Sequence, residues 1–181
     1  MRPLTDRNGL TEEEFLRKYD PDKYPKPSLT ADMVIFRETE GAEAPEVLLV
    51  RRGGHPFLGY WALPGGFAMK NESLEQTACR ELMEETGVSG GKVTPVGVYS
   101  APGRDPRGWV VSAAYAAAVS RGEAHAGDDA ADVRWFPLES ENGVPCRLRG
   151  DPDLEPDGRG CRLAFDHDRI LADAIRTIYG N

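Results

Sequence analysis

The sequence has few cysteines and no long hydrophobic run, and both absences exclude classes of protein. The three cysteines, Cys79, Cys146 and Cys161, show no CxxC spacing, which argues against a zinc site. No apolar stretch approaches the ~20 residues that a membrane-spanning helix needs. The first residues, MRPLTDRNGLTEEEF, lack the apolar core of a signal peptide. We therefore expect a cytoplasmic protein without a membrane partner.

The chain also lacks an excess of positive charge. It has 22 Lys and Arg against 30 Asp and Glu, for a net charge of -8. This balance argues against nonspecific binding to a nucleic-acid backbone, although a small anionic ligand can still bind through metal ions. With 181 residues, of which 40% are hydrophobic and 29% charged, the chain suits one soluble domain with a substantial core.

Hydrophobic patterning predicts strands mixed with helices, which is typical of an α/β or α+β sandwich. A capping box from Thr11 to Glu14 predicts a short helix through Tyr19, and residues 166–180 form an amphipathic pattern. The predicted strands are 29–36, 46–52, 92–100, 109–119 and 131–138, with 53–66 interpreted as a loop. We divide the chain into a helix with an extended lead-in, 1–27, and one domain, 28–181, with a polar Gly- and Pro-rich excursion at 139–162.

The segment 66–88, GFAMKNESLEQTACRELMEETGV, is unusually acidic. Ser73 and Gln76 form a capping-box pattern, and Gly87 is a suitable C-terminal residue, so a helix should begin at Leu74. Three glutamates of this predicted helix lie within an arc of roughly 100° around its axis: Glu81, Glu84 and Glu85. Carboxylates ~5 Å apart repel by roughly 3 kcal/mol at an effective dielectric near 20. A bound Mg²⁺ or Mn²⁺ would reverse this repulsion, whereas a solvated surface helix is the alternative explanation.

The wider pattern is more specific than the acidic helix alone. Gly66, Glu72 and the run RELMEETGV at 80–88 match every defined position of the Nudix signature, so the chain resembles the Nudix hydrolases. The resemblance implies an α/β/α sandwich around a mixed sheet, with a loop–helix–loop catalytic motif. It also implies hydrolysis of a nucleoside diphosphate linked to another moiety with a divalent metal, Mg²⁺ or alternatively Mn²⁺. By position, Glu81, Glu84 and Glu85 correspond to metal ligands and Arg80 to their orienting partner.

The general base differs among Nudix subfamilies. It is either a glutamate of the motif or an acidic residue on a later loop, and within AGDDAADVRW we select Asp129 as the candidate, with a solvated loop as the alternative. Arginines and aromatic residues suit a ligand with phosphates and a base. The candidate substrate-binding residues are Arg52, Gly66, Phe67, Arg104, Arg107 and Trp109.

The stretches around residues 29–67 and 103–115 resemble the ADP-ribose pyrophosphatase branch, and also the Nudix domains of regulators that sense ADP-ribose. The resemblance implies cleavage of ADP-ribose to AMP and ribose 5-phosphate, and a homodimer. Hydrolysis of a nucleoside triphosphate and a non-catalytic sensor are the alternatives. Such regulators carry a winged-helix domain after the Nudix domain, whereas this chain ends at Asn181, which favours the enzyme. In a reducing cytoplasm we expect free thiols rather than a Cys146–Cys161 disulfide.

Overall fold

The computed structural model describes residues 3–38, 41–89, 91–119, 124–125, 130–151, 154 and 163–180. Its elements in chain order are α1 (Glu12–Lys18), β1 (Ser28–Arg37), β2 (Glu46–Arg52), β3 (Trp61–Ala62), β4 (Gly65–Phe67), α2 (Leu74–Thr86), β5 (Thr94–Tyr99), β6 (Val110–Val119), β7 (Ala130–Glu141), β8 (Val144–Leu148) and α3 (His167–Tyr179). No helix in these ranges combines the length and hydrophobicity that crossing a bilayer requires.

One mixed sheet organises the domain. Its strand order is β5-β6-β1-β2-β7-β8, and β3 and β4 pair with β2 and β1. β1 runs parallel to β6 and antiparallel to β2. Met33 and Ile35 of β1 pack on the side of α2, while Val34 and Phe36 pack on the side of α3. Because both faces are covered, the second half of β1, residues 33–36, is a continuous apolar run, and the predicted α/β/α sandwich is confirmed.

The predicted helix ends are confirmed in detail. At the start of α2, Ser73 accepts from the backbone of Gln76 while the Gln76 side chain accepts from the Ser73 backbone. Gly87 ends the helix in the left-handed conformation, with a φ of 70°. Thr11 and Glu14 form the same reciprocal box at α1, none of whose residues is buried. The apolar face of α3 is buried as expected, which fixes this helix on the sheet.

Two segments are more ordered than the sequence predicts. The supposed loop 53–66 contains β3 and the start of β4, which are too short to leave a period of two in the sequence. The excursion 139–162 contains a hairpin, because β7 runs to Glu141 and pairs with β8. Its turn, Asn142–Gly143, has positive φ at both residues. An Asn-Gly pair is typical of a hairpin turn, so it could have predicted this hairpin where the hydrophobic pattern did not.

Cys146 lies on this hairpin with a free thiol. Its Sγ donates to the Glu139 carbonyl at 3.3 Å. Cys161 lies outside the described residues.

Candidate functional site

A cleft of about 840 Å³ lies between the N-terminal part of β1, the β3–β4 region and α2. Glu81 and Glu85 of α2 line its acidic part. Its cationic part is lined by Arg52, Arg107 and the aromatic ring of Phe165. One cleft therefore holds carboxylates suited to a cation and guanidinium groups suited to phosphate.

The glycine pair brings the backbone into contact with the glutamates. β4 pairs with β1 so that Gly66 lies opposite Ala31 and Gly65 opposite Asp32. The Gly65 N–H donates to Glu85 Oε2 at 3.0 Å. A Cβ on Gly66 would lie 2.4 Å from Glu81 Oε1. Only a residue without a side chain leaves room for the Glu81 carboxylate at this point.

Glu85 is an electrostatically strained carboxylate. Burial is the main cause that raises its pKa to about 7, although the hydrogen bond from Gly65 opposes the change. The negative charges of Glu81 and Asp32 raise this pKa further. A cation bound beside Glu85 would favour its ionised form.

Arg80 forms ion pairs with three glutamates. Its guanidinium donates to Glu81 at 2.7 Å, to Glu84 at 2.9 Å and to Glu72 at 2.9 Å. The hydrogen bond from Arg80 is the main cause that lowers the pKa of Glu72 to about 2, and the pKa of Arg80 itself rises. Arg80 thus pairs with Glu81 and Glu84, two of the three glutamates that it was expected to orient. Arg80 therefore orients the acidic face of α2.

The residues present fit a divalent cation, with a difference among the three glutamates. In the part of the chain that the structure describes, no three His, Cys, Asp or Glu side chains converge on one metal position. Glu81 and Glu85 line the cleft, but the Glu84 side chain is 57% exposed and pairs with Arg80. Carboxylate oxygens are the ligands that Mg²⁺ and Mn²⁺ prefer, and a cation would relieve the repulsion within the pair. Glu81 and Glu85 are thus the best placed to hold it.

Phe165 is a site residue that the sequence analysis missed. The guanidinium carbons of Arg52 and Arg107 lie 5.0 and 5.4 Å from its ring centre. Its φ of 57° is rare for an aromatic residue and gave no signal in the sequence. Burial chiefly lowers the pKa of Arg52, and the neighbouring charge of Arg107 adds to this effect. An anionic ligand between the two arginines would relieve their repulsion.

The other residues that the sequence analysis proposed for the site lie in different parts of the structure. Phe67 lies at the cleft, with the guanidinium of Arg107 at 4.8 Å from its ring centre. Trp109 is 58% exposed and is not among the residues that line the cleft. Arg104 reaches the cleft, but its guanidinium is committed to both carboxylate oxygens of Asp166, at 2.9 and 2.6 Å. Asp129 lies outside the described residues.

Arg104→Ala should therefore act mainly on stability. Its side chain is only 5% exposed, and removal leaves the Asp166 carboxylate at the start of α3 without its partner. We expect a loss of about 3 kcal/mol in the free energy of unfolding, measured by urea titration. The control is Arg17→Ala, which breaks an ion pair exposed on both sides and should cost less than about 0.5 kcal/mol. Equal effects of the two variants would contradict a structural role for Arg104.

Comparisons with known proteins agree with this arrangement. The NUDIX domain family matches residues 26–152. An ADP-ribose pyrophosphatase of Methanocaldococcus jannaschii is 35% identical over 167 residues, 91% of this chain and 84% of that protein. The ADPR responsive transcriptional repressor NtrR of Acinetobacter baylyi is 37% identical over 174 residues, 94% of this chain but 62% of the repressor.

Among solved structures, the NUDIX domain of Shewanella oneidensis NrtR complexed with ADP ribose superimposes with a TM-score of 0.73. It is 35% identical, and the match covers 93% of this chain and 99% of that domain. The match to the NUDIX family spans the glycine pair, the acidic helix and most of the sheet. The chain therefore belongs to the Nudix hydrolases, enzymes that generally use divalent metal ions.

Proposed function

We propose that the protein hydrolyses ADP-ribose to AMP and ribose 5-phosphate in the cytoplasm, with Mg²⁺ as the metal and Mn²⁺ as the alternative. The observation that carries this proposal is the cleft itself, with Glu81 and Glu85 in one part and Arg52, Arg107 and Phe165 in the other. Its volume of about 840 Å³ is within the range of small-molecule sites. The similarity to an ADP-ribose pyrophosphatase supports the choice of substrate.

The chemistry follows from the charges. A diphosphate repels an incoming hydroxide, and a bound divalent ion supplies both neutralisation and an activated water. Glu81 and Glu85 would hold that ion, with Arg80 orienting Glu81 and the Gly65 N–H orienting Glu85. Arg52 and Arg107 would bind phosphate oxygens, and Phe165, which lines the cleft beside them, would contact the base or a sugar.

A substrate panel tests this proposal. We expect ADP-ribose to have a higher kcat/KM than any nucleoside triphosphate when both are assayed with Mg²⁺ or Mn²⁺. ADP should be a poor substrate, because polar groups built to pair with the terminal ribose would be left unsatisfied. A tenfold or greater preference for dGTP or another triphosphate would refute the ADP-ribose proposal. Size-exclusion chromatography of the same preparation tests the proposed homodimer.

Arg107→Ala should raise KM for ADP-ribose by roughly 10-fold or more, because a charged hydrogen bond contributes about 1.5–3 kcal/mol. Asp105 accepts from Nε and Nη2 of Arg107, at 2.6 Å for the shorter contact, so the guanidinium is fixed before binding. Unlike the Arg104 side chain, which is 5% exposed, that of Arg107 is 39% exposed and stays accessible to a ligand. The KM for ADP should rise less. Arg149→Ala, an exposed arginine outside the cleft, is the control. A change confined to kcat would argue against a binding role for Arg107.

A ligand-sensing module is the second candidate, and the similarity to an ADPR responsive repressor favours it. The two functions share a ligand but differ in turnover. Calorimetry would show binding of ADP-ribose in both cases. Only the enzyme would release AMP, so tight binding without AMP release in the presence of Mg²⁺ and Mn²⁺ would identify a sensor.

A further inference from the structure

The segment 61–66, which contains β3, the connection 63–64 and the first two residues of β4, is held by hydrogen bonds to β2, β1, α2 and Ala164. Trp61 pairs with Arg51 of β2, and its carbonyl accepts from Ala164 at 2.8 Å. The Pro64 carbonyl accepts from Met33 of β1 at 2.8 Å. The last residue in this series, Gly65, donates to Glu85 of α2. The position of the Glu85 carboxylate thus depends on how this segment is anchored.

A side chain supplies one further anchor. The Leu63 N–H donates to His167 Nδ1 at 2.9 Å, across 104 residues of sequence. His167 is buried, and its Nε2 lies 3.7 Å from Asp32 Oδ1. Because Nδ1 accepts a hydrogen bond, the ring proton belongs on Nε2, where it faces the Asp32 carboxylate. Asp32 in turn accepts a hydrogen bond from the Ser112 hydroxyl.

We propose that His167 is a positioning residue for hydrolysis, which holds the Leu63 N–H and thereby presents Gly65 to Glu85. Leu63 is only two residues before Gly65, and both residues border the cleft. His167 also begins α3, next to Phe165 and the Asp166–Arg104 pair. The imidazole therefore connects the side of the cleft formed by Phe165 to the segment that leads into β4 and its glycine pair.

The segment has little freedom to compensate for a lost anchor. A Cβ on Gly65 would lie 2.5 Å from both the Ala31 carbonyl oxygen and Asp32 Oδ1, so there is no room for a side chain between Gly65 and β1. A shift of Leu63 would be transmitted to Gly65 rather than absorbed. A displacement of about 1 Å at a catalytic group lowers rates by as much as ~100-fold.

Three substitutions separate the two sides of the imidazole. His167→Asn places an amide oxygen near the position of Nδ1, so it keeps the acceptor for Leu63. His167→Gln carries the same amide group on a longer side chain, which reaches instead toward the position of Nε2 and Asp32. His167→Leu removes both interactions. Each variant is assayed with the substrate that the wild-type protein cleaves fastest in the panel above. Protection of the Leu63 and Gly65 amides from hydrogen exchange is measured by NMR, which needs no substrate.

In His167→Gln and His167→Leu, we expect kcat to fall at least 10-fold while KM changes less than threefold. In His167→Asn, both kcat and KM should stay within threefold of the wild-type values. The Leu63 and Gly65 amides should lose protection in the first two variants and keep it in the Asn variant. If the Leu variant does not fold, the Asn and Gln pair still decides the question. An Asn variant as slow as the Gln variant, or full activity in the Gln variant, would overturn the proposal. Failure of ADP-ribose as substrate would leave the amide measurement unaffected.

Discussion

Glu85→Gln should lower kcat by about 1,000-fold while the fold is preserved, because it removes the charged oxygen that Glu85 contributes to the proposed metal site without changing the shape of the side chain. Glu85 lines the cleft and is fixed by the Gly65 N–H, whereas Glu84 is more exposed and pairs with Arg80. Steady-state kinetics with Mg²⁺ measures the effect. Glu75→Gln, on the exposed first turn of the same helix, is the matched control and should stay within twofold of wild type. Near-wild-type turnover in Glu85→Gln would reject its assignment as a metal ligand.

The same substitution should raise stability when metal is absent. Burial raises the pKa of Glu85 from 4.5 to about 7 in the folded protein. The folded state therefore favours the protonated form, and the stability that this provides is complete below the unfolded pKa and is lost as the pH rises through about 7. At pH 8 in EDTA we expect Glu85→Gln to be more stable than wild type by about 2–3 kcal/mol, and the difference should shrink at pH 5.

Urea unfolding at both pH values, with and without Mg²⁺, checks this expectation. Mg²⁺ should stabilise the wild-type protein more than the variant, because the ion binds the ionised carboxylate. The Glu75→Gln control should show no comparable dependence on pH. A variant less stable than wild type at pH 8 in EDTA would mean that Glu85 is held by a partner stronger than the Gly65 N–H.

Local signals explain why the acidic helix was predictable. Ser73, Gln76 and Gly87 specify both ends of α2 from within fifteen residues of sequence, and its apolar residues fix the face that packs on the sheet. Once those limits are known, the angles of Glu81 and Glu85 around the helix follow. The extent of β1 and β2 was accessible for the same reason, because continuous apolar runs indicate strands covered on both faces.

Long-range pairing explains what the sequence did not reveal. Arg104 was a candidate for substrate binding, yet its guanidinium is paired with Asp166, 62 residues away. The exposed Trp109 lies outside the cleft wall. Phe165 lines the cleft with a backbone of positive φ, two residues after the bridge between Trp61 and Leu163. Neither an ion pair across the fold nor a left-handed aromatic residue leaves a periodic trace in the sequence.

Gly66→Ala should lower kcat about 100-fold with little loss of stability. The added Cβ would lie 2.4 Å from Glu81 Oε1 and 2.5 Å from its Cδ, so the two groups cannot keep their places. The carboxylate is the far end of a flexible side chain, and it moves more readily than the backbone of β4. Its movement relieves the clash at small cost to the fold, but it breaks the 2.7 Å contact with Arg80 and displaces the carboxylate proposed to hold the metal.

Two other glycines make this prediction specific. In Gly65→Ala the Cβ would lie 2.5 Å from the Ala31 carbonyl, which belongs to the central strand and cannot turn away, so both stability and kcat should fall. In Gly91→Ala the nearest atom outside the local chain, the Ala118 carbonyl oxygen, lies 3.8 Å away, so neither quantity should change appreciably. Thermal unfolding and kcat measured on the three variants separate these outcomes. If Gly66→Ala kept its activity, the Glu81 carboxylate would not need its position against Gly66 for catalysis.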